Sequence, residues 1–74
     1  MEELYAELAR ILEVDEVKPT DVLADFSAWD SLAVFTIIAM LDSNFSIMLH
    51  ASDIESQQTA DDLARLVATK QHST

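Results

Sequence analysis

The stretch FSAWDSLAVFTIIAMLDSNF, residues 26–45, passes from a polar loop into a long apolar segment. Asp30 and Ser31 stand directly before that segment, and both residue types are favoured at helix N-caps because their side chains accept a hydrogen bond from the first turn. The sequence therefore predicts a helix over residues 31–45. Its predicted core stripe, spaced at helical intervals, consists of Ile37, Ile38, Leu41 and Phe45.

Two further segments, one toward each end of the chain, repeat apolar residues at helical intervals. The first predicts a helix over residues 2–13, with acidic residues near the positive end of its dipole. The second predicts a helix over residues 60–70, where Thr59 and Asp62 resemble a capping box at the start. The predicted buried faces are Leu4, Tyr5, Leu8, Ile11 and Leu12 in the first helix, and Ala60, Leu63, Ala64, Leu66 and Val67 in the last.

Residues 14–30 are predicted to form a long loop, because they contain Pro19 and several Asp, Ser and Thr residues that interrupt helices. A loop of this length in a small domain is unusual and often functional. We expect most of its apolar residues to hold it against the bundle. They are Val17, Val22, Leu23, Phe26 and Trp29.

Residues 46–56 are predicted to contain an extended stretch followed by a short helix that begins near Ala51 or Ser52. The chain has no glycine and no hairpin turn dipeptide, which favours helices over hairpins. The predicted fold class is all-α: a small four-helix bundle of three main helices plus one short helix, with a long loop between helices one and two. We expect a single domain over residues 1–74, with a frayed tail at residues 70–74.

Composition restricts the classes of function. The chain has 74 residues and a net charge of −10, from 14 acidic and 4 basic side chains. That charge repels nucleic-acid phosphates and anionic membranes, although it is explained equally by solubility or by attraction to basic partners. No apolar run is long enough to span a membrane, the N-terminus lacks the positive charge of a signal peptide, and there is no cysteine. We therefore expect a cytoplasmic monomer that neither binds nucleic acid nor inserts into membranes.

No catalytic or metal-binding motif is present in the sequence, and its two histidines, His50 and His72, are isolated. We therefore expect a protein that is not an enzyme and holds no metal. Ser31 is the informative residue, because it lies in the first turn of a predicted helix, where free N–H groups and the helix dipole favour an anion such as a phosphate ester. A purely structural alternative is that Ser31 or Asp30 only caps the helix, and the two interpretations are compatible.

Three segments carry a further pattern: WDSL (residues 29–32), LDSNFSIML (41–49) and TADDLARLV (59–67). Together they resemble the acyl and peptidyl carrier protein family. WDSL, residues 29–32, is similar to the family's attachment motif, in which the serine of Asp-Ser-Leu carries 4′-phosphopantetheine. LDSNFSIML, residues 41–49, resembles the family's Leu-Glu-x-x-Phe-x-Ile-x-Ile segment, and TADDLARLV, residues 59–67, resembles its Thr-Val-x-Asp-Leu-x-x-Leu-Val ending. The similarity runs without a gap from Asp21 to Val67 and covers nearly the whole chain.

This resemblance implies a carrier whose cofactor is 4′-phosphopantetheine, attached covalently to Ser31 from coenzyme A by a phosphopantetheinyl transferase with magnesium. The thiol of the arm would hold acyl groups as thioesters for acyl-loading and acyl-modifying enzymes. Leu32 is expected to pack beside the arm, and Asp30 is expected to help the transferase to recognise the site. Met40 and Met48 are candidate liners for an acyl chain, although each one singly is more simply a core or surface methionine.

The exposed part of the predicted second helix departs from the fatty-acid carriers of the family, where it is rich in acidic residues. Here Asp42 is the only charged residue of the helix, and Ala33 and Val34 are among the residues expected to be exposed. We therefore expect docking through apolar and polar contacts, in a specialised fatty acid, polyketide or related pathway. The predicted partner-binding residues are Trp29, Ala33, Phe35, Thr36, Ala39 and Asp42.

One alternative is an adaptor with a carrier-like fold that is never modified and binds partners through helix two. Retention of Ser31 argues against it, because an unmodified adaptor has no need of that residue. A third hypothesis is that the chain is a small enzyme.

Overall fold

The computed structural model describes residues 2–71, and within this range the chain forms four α-helices and no β-strand. This confirms the predicted all-α bundle of three main helices and one short helix, with a long loop between the first two. The helices are α1 (Glu2–Leu12), α2 (Ser31–Phe45), α3 (Ala51–Glu55) and α4 (Ala60–Gln71).

One apolar core joins all four helices. Among the described residues no polar or charged residue is buried, so the stability of the bundle comes mainly from the burial of aliphatic side chains. The predicted faces of α1 and α4 are largely confirmed, although Tyr5, Ile11 and Leu66 are only half-buried. The largest fully buried side chains are Leu4, Leu8, Leu23, Ile37, Leu41, Ile54, Leu63, Val34 and Val67.

The helix boundaries follow from local hydrogen bonding. α1 ends at Leu12 and not at residue 13, because Glu13 adopts a left-handed conformation with φ of 60°. The Glu13 N–H then donates to the Arg10 carbonyl (3.3 Å) and the Val14 N–H to the Ala9 carbonyl (3.0 Å), which is a Schellman ending built without glycine.

The fourth helix begins with the predicted capping box and ends one residue later than predicted, at Gln71. The Thr59 N–H donates to the Asp62 carboxylate and the Asp62 N–H donates to the Thr59 hydroxyl, both at 3.2 Å. Of the predicted frayed tail, residues 72–74 lie outside the described residues, and so does His72.

Main-chain hydrogen bonds fix the long loop to the connection between α3 and α4 and to the start of α4. The Leu23 N–H donates to the Gln58 carbonyl (2.9 Å), and the Ala60 N–H donates to the Asp21 carbonyl (3.0 Å). An isolated β-bridge pairs Val22 with Thr59 between these two bonds. A 3-10 helix, Leu23–Asp25, follows directly.

The apolar loop residues differ in burial. Val17 and Leu23 are buried, and Phe26 and Trp29 are half-buried against the core, as predicted. Val22 is the exception, because its side chain is exposed. Its contribution is the main-chain bridge to Thr59.

The buried face of α2 is broader than the predicted stripe. Ile37 and Leu41 are fully buried, whereas Ile38 and Phe45 are half-buried. The expectation that Ala33 and Val34 are exposed is wrong. Both lie in the core, at 6% and 2% exposure, together with Met40. The reason is that the helix is apolar on nearly all sides, so the sequence does not mark where the buried face begins.

Candidate attachment site

The start of α2 is fixed by an aspartate cap. Asp30 has an extended backbone, and its Oδ1 accepts a hydrogen bond from the Ala33 N–H at 2.9 Å. The Asp30 carbonyl accepts the first helical bond, from the Val34 N–H at 3.0 Å. The predicted capping role therefore belongs to Asp30, and the side chain of Ser31 is left outside the cap.

Ser31 is the first residue of α2 and is exposed. Its hydroxyl makes no hydrogen bond to any other part of the described chain. The N–H groups of Ser31 and Leu32 have no intrahelical acceptor because they belong to the first turn. An exposed hydroxyl beside free N–H groups and the positive end of a helix dipole suits a covalent phosphate ester.

The side chains that follow Ser31 present an apolar surface to solvent. Leu32 is 73% exposed and Phe35 is 59% exposed, which is unusual for such large apolar residues. The hydroxyl of Thr36 donates to the Leu32 carbonyl at 2.8 Å and is therefore occupied within the helix.

The residues predicted to meet partner enzymes do not all share this surface. Ala33 is buried and cannot contact a docked partner, because it belongs to the core-facing side of the first turn. Of the other residues, Phe35, Ala39 and Asp42 are exposed, and Trp29 and Thr36 are half-buried. The two methionines also separate, since Met40 is a core residue and Met48 is a surface residue.

Two depressions are lined in part by residues that are close to Ser31 in sequence. A cleft of about 240 Å³ opens toward α1 and is lined by Arg10, Ile11, Glu13, Asp30, Leu32 and Thr36, among others. A larger groove of about 580 Å³ lies between the loop residues Val22, Ala24 and Trp29 and the α3–α4 connection, residues 55–59. Sequence reasoning missed this groove, because its walls meet only through the pairing of the loop with Gln58 and Thr59.

Metal-binding and membrane-spanning features are absent from residues 2–71. In this part of the chain no three acidic or histidine side chains are grouped to hold a metal ion. None of the helices described is both long enough and apolar enough to cross a bilayer.

The comparisons with known proteins agree with this geometry. A family model described as "phosphopantetheine attachment site" matches residues 2–67. A solved structure assigned as an acyl carrier protein from Mycobacterium tuberculosis superposes with a TM-score of 0.78 at 32% sequence identity, over 92% of this chain and 93% of that chain. No curated protein matches the sequence significantly.

A helical bundle with this match is a carrier domain. The chain belongs to the acyl carrier family, whose cofactor is covalently attached 4′-phosphopantetheine. It is therefore a carrier and not an enzyme, and it works with a phosphopantetheinyl transferase and with acyl-handling enzymes.

Proposed function

We propose that Ser31 is the attachment residue for 4′-phosphopantetheine and that α2 presents the loaded arm to partner enzymes. The observation that carries this proposal is the exposed, unbonded hydroxyl of Ser31 directly after the Asp30 cap. When bound, the arm supplies a thiol on which acyl groups are held as thioesters, chemistry that a chain without cysteine cannot supply itself.

Other exposed serines offer weaker sites. Ser27 lies in the loop, and Ser43 and Ser46 lie at the far end of α2. The Ser56 hydroxyl already donates to the Asp53 carbonyl at 3.0 Å. Of the described serines, Ser31 is the one that begins a helix of more than three turns, where the dipole favours a phosphodiester.

The docking surface that we propose consists of Leu32, Phe35, Ala39 and Asp42 on the exposed side of α2. Asp42 is the only charged residue in the helix, so most of the −10 charge lies on other parts of the chain. Partner recognition should therefore depend on apolar contact more than on charge, and its salt dependence should be weak. This surface supports a specialised fatty acid, polyketide or related pathway, and the lack of cysteine suits the cytoplasm.

The test of the attachment site is the intact mass of the purified apo chain after incubation with a promiscuous phosphopantetheinyl transferase, coenzyme A and magnesium. We expect wild type and Ser27→Ala to gain one phosphopantetheinyl group and Ser31→Ala to gain none. Ser27→Ala is the matched control because it removes a nearby exposed serine.

A folded wild-type chain that stays unmodified, while a second carrier in the same tube is labelled, would overturn the proposal. It would favour the adaptor that binds partners without modification. Circular dichroism of each sample establishes that the variants remain helical.

A further inference from the structure

A second surface lies between α1, the start of the long loop and α4. Two depressions that are open to solvent meet there at Tyr5, one of about 390 Å³ and one of about 330 Å³. Helical geometry places Tyr5 on a different side of α1 from Glu7 and Arg10, which lie toward α2. No residue of α2 lines either depression. This surface, the α1–α4 groove, is lined by Tyr5, Ala6, Ala9, Asp15, Ala64 and Ala68, among others.

Main-chain hydrogen bonds fix the walls of the α1–α4 groove. The Val14 N–H donates to the Ala9 carbonyl (3.0 Å) at the end of α1, and the loop residues that follow line the same depression as the first turns of that helix. The Asp61 N–H donates to the Pro19 carbonyl (2.9 Å), which joins the loop to the start of α4. A partner therefore meets a preformed surface, and little additional ordering of the chain is needed for binding.

The floor of the groove is apolar and surrounds one aromatic ring. Ala9 and Ala64 are buried, and the half-buried Tyr5 lines both depressions. Burial, and next the negative charge of Asp61, raise the pKa of the Tyr5 hydroxyl, so this part of the groove is partly shielded from water. An aliphatic side chain of a partner can pack on the alanines against the ring.

The rim of the larger depression is acidic. Glu2, Asp15 and Glu16 are exposed, and none of them forms an ion pair or a side-chain hydrogen bond with another described residue. No lysine or arginine lines this depression. In the smaller depression Asp61 is paired with Arg65 at 3.0 Å. The unbalanced negative charge therefore lies at the end formed by α1 and the loop.

An apolar floor with unpaired carboxylates along one rim is complementary to a cationic amphipathic helix, which binds grooves through its apolar face. A metal ion is a poor occupant, because no three acidic or histidine side chains within residues 2–71 are grouped to hold one. A second copy of the chain is also a poor occupant, because a net charge of −10 makes the copies repel each other.

We infer that the α1–α4 groove docks a lysine- or arginine-bearing amphipathic helix of a partner protein, with an apolar side chain against Tyr5 and cations beside Asp15 and Glu16. The inference goes beyond the proposed carrier function and does not depend on attachment at Ser31. Because α2 contributes nothing to the groove, such a partner can hold the carrier while the outer face of α2 meets an enzyme. Binding in the groove should weaken as salt rises, in contrast to recognition through α2.

The test titrates the full, unmodified chain with a synthetic amphipathic peptide of leucine and lysine, roughly 15 residues long so that it can form a helix. NMR shifts should concentrate at Tyr5, Ala9 and Ala64, and the same peptide with glutamate in place of lysine should not bind. Ala6→Arg, which places bulk and positive charge in the groove, should raise the peptide Kd by about tenfold. The matched control, Ala39→Arg, makes the same change at an exposed alanine of α2 and should alter the Kd by less than about twofold.

A second pair of variants tests the acidic rim. Asp15→Asn combined with Glu16→Gln should raise the Kd by about tenfold. Asp25→Asn combined with Glu55→Gln removes the same number of exposed charges elsewhere and should leave the Kd within about twofold of wild type. Equal losses in the two double variants would show attraction to the net charge alone and would overturn the inference.

Two further outcomes would also overturn it. One is the absence of any binding by the lysine peptide. The other is a set of NMR shifts centred on Leu32 and Phe35, with binding lost in Ala39→Arg and kept in Ala6→Arg, which would place the peptide on α2. None of these results bears on attachment at Ser31, which the intact mass tests separately.

Discussion

The two faces of α2 both carry large apolar residues, but these residues have different surroundings. The inner face packs into the core through Ala33, Val34, Ile37, Met40 and Leu41. The outer face exposes Leu32, Phe35 and Ala39 in its first two and a half turns, and its exposed polar residues lie at the two ends, with a single charge at Asp42. A helix whose only task was to close the bundle would gain solubility from polar residues on its outer face. The exposed apolar residues of α2 are therefore not needed to close the bundle, which supports the proposal that they meet partner enzymes.

The largest difference between the two faces should appear in stability. Ile37→Ala should lower the free energy of unfolding by about 2–5 kcal/mol, because it removes a fully buried side chain and leaves a cavity. Phe35→Ala, a larger truncation on the outer face, should change it by less than about 1 kcal/mol. Urea unfolding followed by circular dichroism measures both. If Ile37→Ala leaves too little folded protein to analyse, Ile37→Val should cost about 0.5–1.5 kcal/mol. A loss of about 2 kcal/mol or more for Phe35→Ala, the size expected for a buried side chain, would contradict the division of the faces.

Recognition by partner enzymes should depend on the outer face of α2 more than on the inner face, the reverse of the order expected for stability. Phe35→Ala should raise the KM of a phosphopantetheinyl transferase for the apo chain by about tenfold, the equivalent of ~1.4 kcal/mol, because an exposed aromatic residue is a common anchor of interfaces. Asp42→Lys, which reverses the one charge of the helix, should change KM by much less. Initial rates at several salt concentrations provide the comparison. Loss of recognition on charge reversal, with Phe35→Ala neutral, would refute apolar docking.

The Asp30 cap at the start of α2 should contribute less to stability than a fully buried core residue. Asp30→Ala should cost about 1 kcal/mol of stability, because the Ala33 N–H loses its acceptor. Asp30→Asn is the matched variant, since its amide oxygen can still accept that bond and should preserve most of the stability. The urea midpoints of wild type, Asp30→Ala and Asp30→Asn measure these differences in stability. A fully stable Asp30→Ala would mean that the cap does not set the start of α2.

The smallest effect is expected at the end of α1, away from both faces. Glu13→Gly should stabilise the chain by roughly 0.5 kcal/mol. Glycine avoids the cost of about 1 kcal/mol that a side chain incurs in the left-handed conformation, although its flexible unfolded state offsets part of the gain. Thermal melts compare it with Glu13→Ala, which keeps a Cβ and should show no gain. A loss of stability in Glu13→Gly would indicate that Glu13 makes a contact worth more than this strain.

The helices could be predicted from sequence because their signals are local. The capping residues Asp30 and Thr59 marked two helix starts at the residues where the structure has them. The end of α1 was missed by one residue, because a left-handed glutamate replaces the usual glycine and leaves no compositional signal.

Burial on α2 could be predicted only in part. The prediction that Ile37 and Leu41 are buried was correct. The prediction that Ala33 and Val34 are exposed was wrong, because the sequence of α2 is apolar almost throughout and does not show where the buried face begins. The proposed attachment site follows from Asp30, Ser31 and Leu32, which are continuous in sequence, and its assignment stays a prediction. The groove beside Trp29 could not be predicted, because Val22 and Thr59 are brought together only by tertiary pairing.

The most direct test of attachment at Ser31 is to locate the modification within the chain itself. The holo protein would be fragmented in the mass spectrometer, and the phosphopantetheinyl group assigned to one of the exposed serines. We expect the group on Ser31 alone, at the start of the exposed face of α2. Modification at Ser27, Ser43 or any other serine, with Ser31 unmodified, would contradict it.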